Sequence, residues 1–303
     1  MQIKLVIPSP KGVLDGNRVT VRRWARILKG LGQRVGIEGR YRGDSCDLLI
    51  AVHACKSFPS IGRFRREHPR RPLVVVLSGT DLYQDLKRGS EVIQSLTMAT
   101  HIVVLQKQAL EEIPQKFRHK ATVIYQSAEP LKGSPPPPKS YFRVCTVGNL
   151  RPVKDPFRLA LAGRRLPASS KLRIWQVGRA LSSGMKKTAL EESRRNGRYR
   201  WMNGLPYWRT RRLIASSHLV AITSRVEGSS NVLSEALISS VPVVASRIPG
   251  LMGTLGTGYP GYFPPGDTQA LKQLLLRAET EAEFYQELKA ECTRLASVVQ
   301  PQR

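Results

Sequence analysis

Residues 224–237 read SRVEGSSNVLSEAL and lie between two apolar runs, HLVAITS at 218–224 and VPVVAS at 241–246. Both runs have the Val, Ile and Leu content of strands buried on two faces, so the stretch predicts a strand, a loop, a helix and a return to a parallel neighbour. Glu227 then stands on the loop at a strand's carboxyl end, the edge of a parallel α/β sheet where ligands bind. Gly228, Ser229 and Ser230 carry little side chain and let the backbone approach a ligand closely. The amides of Ser230, Asn231 and Val232 open the helix and, with the positive end of its dipole, offer donors to a phosphate or pyrophosphate. Val232, Leu233, Ala236 and Leu237 form one apolar stripe. Glu235 lies off that stripe, about one turn in, where a carboxylate can accept two hydrogen bonds from a vicinal diol such as a ribose. On these residues alone a plainer reading stays open, in which Glu235 only complements the helix dipole and Glu227 only caps a turn.

The same pattern extends outward. Upstream in the same half, FRVCTVGN (142–149), LRIWQVG (172–178) and the weaker RYRWMN (198–203) are further strands, alternating with helical stretches that include FRLALAGRRL (157–166) and YWRTRRLIAS (207–216). A polar, amphipathic stretch from 268 to 297 follows, with Leu271, Leu274 and Leu275 and, after a break, Phe284 and Leu288. Four consecutive prolines in GSPPPPKS (133–140) cannot join a helix or a central strand and mark a linker. Before it, IKLVIP (3–8), DLLIAVHA (47–54), LVVVLSG (73–79), HIVVLQ (101–106) and ATVIYQS (121–127) predict a parallel sheet, with a helix from Asn17 to Leu31 ended by Gly32. The length of 303 residues exceeds what one core usually serves. The expected fold is therefore α/β, with two doubly wound, Rossmann-like domains at 1–138 and 139–280. A C-terminal helix follows at 281–303, for which packing back on the first domain is an open option. Two such sheets put a cleft between their carboxyl ends.

Forty-nine Lys and Arg against 22 Asp and Glu give a formal charge of +27, shared by both halves without a basic tail. Such a field suits nucleic acid, anionic lipid or a small polyanionic substrate, and equally solubility alone; composition does not choose. Cys46, Cys55, Cys145 and Cys292 show no CxxC and no histidine partner at metal spacing, which fits a reducing compartment and predicts neither disulfide nor structural zinc. No run reaches membrane-spanning length, and the apolar N-terminal run lacks the length and cleavage site of a signal peptide. The expected location is the cytoplasm. No DxD occurs near a strand end, so no bound metal or separate cofactor is implied. Trp24, Trp175, Trp201 and Trp208 read as packing residues.

Glu227 and Glu235, followed by ALISSVPVVASRIPG at 236–250, resemble the E-x7-E signature of retaining glycosyltransferases of family 4, which have the two-domain GT-B fold. The resemblance implies that the first Glu lies by the donor sugar, the second holds the nucleotide ribose and the turn amides hold the diphosphate. It makes 139–280 the nucleotide-sugar-binding domain and 1–138 the acceptor side. Lys154, in VGNLRPVKDP (147–156), stands where the family's lysine neutralises the leaving phosphate. Arg151 takes the part of the arginine that the family carries at the position of Asn149. A narrower resemblance rests on DGNRVTVRRWARIL (15–28), SGTDLYQDL (78–86), VVLQKQAL (103–110), VIYQSA (123–128), NLRPVKDPFRLA (149–160), EGSSNVLSEAL (227–237) and YPGYFPPGD (259–267). In that order they are similar to the SenB-like selenosugar synthases of selenoneine biosynthesis. This implies UDP-GlcNAc and selenophosphate as substrates and a Se-glycosidic product. The chain departs from the pattern at Ser229 and Ser230, where Gly and Ala are expected, and at Leu251 and Met252, where a polar residue is expected. The identity of the sugar stays open.

On the acceptor side, PSPKGVLDGNRVT (8–20) follows the first strand and opens a helix, so Gly12, Gly16 and Asn17 can bring backbone donors to an acceptor and Arg18 a cation. An ordinary glycine turn with an Asn cap fits the same residues. His53 ends a buried strand, where the GT-B fold often places a polar group against the donor sugar; a satisfied core histidine is the alternative. Asp81 can orient an acceptor or its base, or cap the next helix. The catalytic set so implied is Glu227, Lys154, His53 and Asp81, and the donor-binding set Arg151, Gly228, Ser230, Asn231, Val232 and Glu235. Two other functions compete. One is an O-glycosyltransferase acting on a lipid or polysaccharide, with RRWARILKG and YWRTRRLIAS as basic helices docking a membrane. The other is a basic nucleic-acid-binding protein, which matches no module here and leaves the two glutamates unexplained.

Overall fold

In the first half the alternation of apolar and amphipathic runs becomes one parallel sheet in the computed structural model, which describes residues 1–8, 16–87, 89–133 and 135–301. Its strands are β1 (Gln2–Val6), β2 (Arg34–Glu38), β3 (Leu48–Val52), β4 (Leu73–Val76), β5 (His101–Val104) and β6 (Ala121–Val123), in the order β2-β1-β3-β4-β5-β6. The helices are α1 (Gly16–Gly30), α2 (Phe58–Glu67), α3 (Thr80–Tyr83), α4 (Ser90–Met98), α5 (Ala109–Glu112) and α6 (Gln115–Arg118). Side-chain parity splits the core in two. Ile3, Leu5, Ile50, Val52, Val76 and Val103 cluster with Val21 and Ala25 of α1, while Val6, Leu49, Ala51, Val75 and Val104 cluster with Ile61 and Phe64 of α2 and Val92 and Leu96 of α4. Both faces are covered, which is why these strands are apolar at consecutive positions.

The second sheet contains β7 (Phe142–Val147), β8 (Leu172–Val177), β9 (Tyr199–Trp201), β10 (Leu219–Ile222), β11 (Val243–Ser246) and β12 (Tyr262–Phe263), in the order β12-β11-β10-β7-β8-β9 and parallel throughout. Its helices are α7 (Arg158–Arg164), α8 (Ser183–Arg195), α9 (Tyr207–Ala215), α10 (Asn231–Leu237), α11 (Pro249–Leu255), α12 (Thr268–Thr280) and α13 (Ala282–Leu295). Two strands lie outside the apolar runs. β2, RVGIE, is an edge strand with no buried position, and β12 has two residues. Neither presents a continuous apolar signal.

Two compact units result: Met1–Gln126 with Glu227–Asn231, and Ser127–Val226 with Val232–Arg303. The first break falls ahead of the proline run rather than within it. The C-terminal segment belongs to the second core. α12 and α13 part at Glu281, whose φ of −105° and ψ of 101° are not helical, and Phe284, Leu288, Cys292 and Leu295 pack with Leu271 and Leu275.

Part of the arginine and lysine excess binds main-chain oxygen. Arg65 donates to the carbonyls of Met98 (2.7 Å) and Pro69 (2.6 Å), Arg118 to those of Ile113 (2.9 Å) and Glu111 (2.8 Å), and Lys120 to that of Ala99 (2.7 Å). Several of these oxygens end α4 and α5, where the helix dipole favours a cation. Burial holds the Arg65 guanidinium and the Lys120 ammonium below their ordinary pKa values. Cations with such partners need no nucleic acid to account for them.

Candidate active site

In the second sheet the order of strand addition reverses between β7 and β10, which pair directly, so the loops leaving both carboxyl ends open at the switch point of the sheet. After β7, Arg151 precedes a proline and is extended, with φ −155° and ψ 154°. Pro152 then begins a single 3-10 turn, Pro152–Lys154, closed by Asp155 in the left-handed region at φ 42° and ψ 54°. Thr223 Oγ1 lies 3.1 Å from the Lys154 carbonyl and 3.0 Å from that of Asp155, and the Arg225 amide donates to the Val153 carbonyl at 2.8 Å. These contacts fasten the turn to the chain just beyond β10. The Lys154 stem runs past Gly148, and Lys154 lines a small cavity with Thr146, Gln176, Thr223 and Ser224. Arg151 is exposed on the same loop. Asn149 accepts from the Arg179 amide at 3.1 Å, and Gly178 packs on the Gly148 carbonyl so closely that a Cβ would overlap it.

After β10, Glu227 and Ser229 are half-buried, Gly228 and Ser230 buried, and α10 begins at Asn231. The expected apolar stripe with a polar remainder is not what α10 shows. Leu233, Ser234, Glu235, Ala236 and Leu237 are all buried, whereas Val232 is only half-buried. The five consecutive buried positions 233–237 go round more than one full turn, so beyond its first two residues the wheel has no solvent face to read. Glu235, at 3% exposure, is an interior carboxylate and not a surface complement to the dipole.

In the first unit, Asn231 donates to the Gly16 carbonyl (3.1 Å) and Thr20 Oγ1 (3.3 Å) and accepts from Arg23 Nη1 (2.8 Å). Its side chain is thereby engaged with α1. A Cβ on Gly228 would overlap the Ser78 carbonyl, so glycine alone fits that approach. Asn17 is the second residue of α1 rather than its cap, and its Nδ2 lies 3.4 Å from Ser78 Oγ. Arg18 is half-buried on the same helix. Gly12 lies outside the described residues.

His53 follows β3 with a positive φ of 71° and is 2% exposed. Its Nε2 is 3.0 Å from Thr80 Oγ1, and its Nδ1 is 3.4 Å from the Lys56 amide and 3.9 Å from Asp81 Oδ2. Asp81, fully buried at the start of α3, accepts from the Ser78 amide (2.9 Å), the Gly79 amide (2.8 Å), Ser78 Oγ (3.0 Å) and the Ala54 amide (3.0 Å). Four donors occupy this carboxylate. Asp81 therefore joins the loops after β3 and β4.

The comparisons with known proteins bear on this arrangement. Residues 127–294 match the family described as Glycosyl transferases group 1. The chain belongs to this family. No curated protein matches it. Among solved structures, this glycosyl transferase is similar to Anabaena Alr3699/HepE in complex with UDP and glucose, at 18% identity and a TM-score of 0.76 over 99% of this chain and 95% of that one. It is similar to sucrose-phosphate synthase from Thermosynechococcus elongatus at 14% identity and a TM-score of 0.77, again over 99% and 95%. The pneumococcal O-GlcNAc transferase GtfA, in complex with UDP and GlcNAc, matches at 16% identity and a TM-score of 0.67 over 93% of this chain and 57% of that one. Identities this low carry the fold alone: two parallel six-stranded α/β units, the GT-B architecture.

Around the expected residues the glycosyl transferase has a supporting set that sequence reading missed: Ser78 and Thr80 beside Asp81 and His53, Thr20 with Gln126 (2.7 Å), and Asp155, Thr223 and Arg225 about the Lys154 turn. Gln126 and Asp155 stand inside quoted motifs, VIYQSA and VKDP, and could have been singled out there. Thr223 gave no signal. Among the described residues, no group of three or more His, Cys, Asp or Glu side chains converges as a metal-binding set, and no helix is long and apolar enough to cross a membrane.

Proposed function

We propose that this glycosyl transferase moves a sugar from a UDP-sugar, UDP-GlcNAc in the first instance, to the selenium of selenophosphate, with retention of the anomer. The observation that carries the reading is the pair of loops at the switch point of the second sheet, one bearing Lys154 and the other Glu227, in a chain of this family. A UDP-sugar donor is further supported by the neighbours, since HepE is described with UDP and glucose and GtfA with UDP and GlcNAc. The ordered motifs from 15 to 267 support selenium as the acceptor atom.

In this reading Lys154, Arg151 and the amides of Ser230, Asn231 and Val232 stabilise charge on the departing diphosphate, Gly228 lets the backbone approach, and Glu235 holds the ribose. Glu227 and His53 attend the sugar, and Asp81 keeps the His53 loop in place. Gly12, Gly16, Asn17 and Arg18 serve the acceptor. Selenium attacks C1 from the face that the diphosphate leaves; the C1–O bond breaks and UDP departs. Water then cleaves the Se–P bond, giving phosphate and a selenol on the sugar. The cationic side chains supply the charge compensation, with no metal assigned to it.

The test is the rate of UDP release from UDP-GlcNAc and from UDP-glucose, with selenophosphate, thiophosphate, phosphate or no acceptor. The fastest release is expected with UDP-GlcNAc and selenophosphate. Release that ignores the acceptor would contradict the selenium reading. A second reading, transfer to a lipid or polysaccharide hydroxyl, is favoured by α9, where Tyr207 (41%) and Trp208 (57%) are exposed and the Arg209 guanidinium lies 5.1 Å from the Trp208 ring. Release stimulated by anionic vesicles carrying a lipid acceptor would select it.

A further inference from the structure

Asp155 occupies a backbone region that side chains with a Cβ rarely adopt, at φ 42° and ψ 54°. It directly follows Lys154, so this reversal determines where Lys154 leaves the chain. Side-chain chemistry holds it. Asp155 Oδ2 accepts from Arg158 Nε at 3.0 Å and lies 3.5 Å from an Arg225 Nη, and the carboxylate is only 14% exposed. Both arginines are anchored in turn: Arg158 donates to Thr268 Oγ1 at 2.7 Å, and the Arg225 amide to the Val153 carbonyl at 2.8 Å. Asp155 thus joins the turn, the chain beyond β10 and the start of α12.

We infer that Asp155 is a positioning residue for Lys154, holding the turn so that the lysine meets the leaving phosphate. The inference rests on the proposed role of Lys154. Simple electrostatics makes the opposite prediction. A carboxylate beside a phosphate repels it, and its removal releases two guanidinium groups, so loss of Asp155 would tighten the binding of an anion. Positioning requires that loss of Asp155 weaken it, and only while Lys154 is present.

UDP titrated into the full chain separates these outcomes, using wild type, Lys154→Ala, Asp155→Ala, Asp155→Asn and the Lys154→Ala/Asp155→Ala double variant. Lys154→Ala and Asp155→Ala are each expected to weaken UDP by about tenfold, the size of one charge-assisted contact. In the Lys154→Ala background the further loss from Asp155→Ala is expected to stay below about twofold. Asp155→Asn, which tolerates the left-handed region and still accepts from Arg158, retains most of the affinity. Unchanged or tighter binding by Asp155→Ala, or the same loss in both backgrounds, overturns the inference. Unchanged binding by Lys154→Ala overturns the role of the lysine instead, and a wild type that does not bind UDP overturns both. If Asp155→Ala does not fold, Asp155→Gly, which takes this φ without strain, carries the same comparison.

Discussion

Asp81 and Asp155 both stand just past the carboxyl end of a parallel strand, β4 in one sheet and β7 in the other, yet their carboxylates meet different partners. Asp81 is fully buried and collects the amides of Ser78, Gly79 and Ala54 and the Ser78 hydroxyl. Asp155 keeps some exposure and faces Arg158 and Arg225. A carboxylate filled by main-chain donors fixes the fold of its loop, and its loss strands buried N–H groups. One balanced by guanidinium groups at a loop that carries a lysine acts on the local field and on the lysine's direction. The same residue type should therefore fail in stability at one site and in ligand handling at the other.

The largest effects expected are on turnover. Lys154→Ala and Glu227→Ala should each lower UDP release by about a hundredfold or more with little change in unfolding midpoint, because leaving-group stabilisation acts in the transition state. An active Glu227→Ala variant would remove the site assignment. Next comes Asp81→Ala, expected to cost about 3 kcal/mol in denaturant unfolding, against less than about 1 kcal/mol for Asp155→Ala. Equal costs would erase the contrast between the two aspartates. Glu235→Ala should weaken UDP by about tenfold while kcat at saturating donor changes less, consistent with a carboxylate that binds ribose rather than reacts.

The smallest effect is a pH dependence. His218 stacks on Phe142 with ring centroids 4.7 Å apart and accepts from the Arg143 amide at 3.0 Å, and burial, then Arg143, lower its pKa below 6.5. The unfolded chain therefore takes up this proton first. The stability contributed is present above 6.5 and lost as pH falls through the folded value. Unfolding midpoints should decline on acidification below 6.5, and His218→Gln should flatten part of that decline.

The central strands were legible because burial on both faces leaves β3, β4, β5, β10 and β11 with hardly a polar residue. β2 and β12 were not, since an edge strand asks for pairing and little else. The placement of Glu227 after β10 and of Lys154 after β7 was legible for the same reason: apolar runs end where loops begin. The support around them was not. The bond from Gln126 to Thr20 spans 106 residues and that from Thr223 to the Asp155 carbonyl 68, and the left-handed turn at Asp155 leaves no periodic trace. The burial of Glu235 was hidden because a helical wheel assumes one contact face, and α10 has none to spare. The net charge could not choose among anionic partners or solubility, since arginines such as Arg65 and Arg118 spend part of it on helix-end carbonyls.

The account stands or falls on the atom joined to the sugar. The purified protein, incubated with UDP-GlcNAc and selenophosphate, should yield UDP, phosphate and an N-acetylhexosamine whose mass and isotope pattern show one selenium. UDP released beside a sugar without selenium, or no UDP release from a protein that binds the donor, would contradict it.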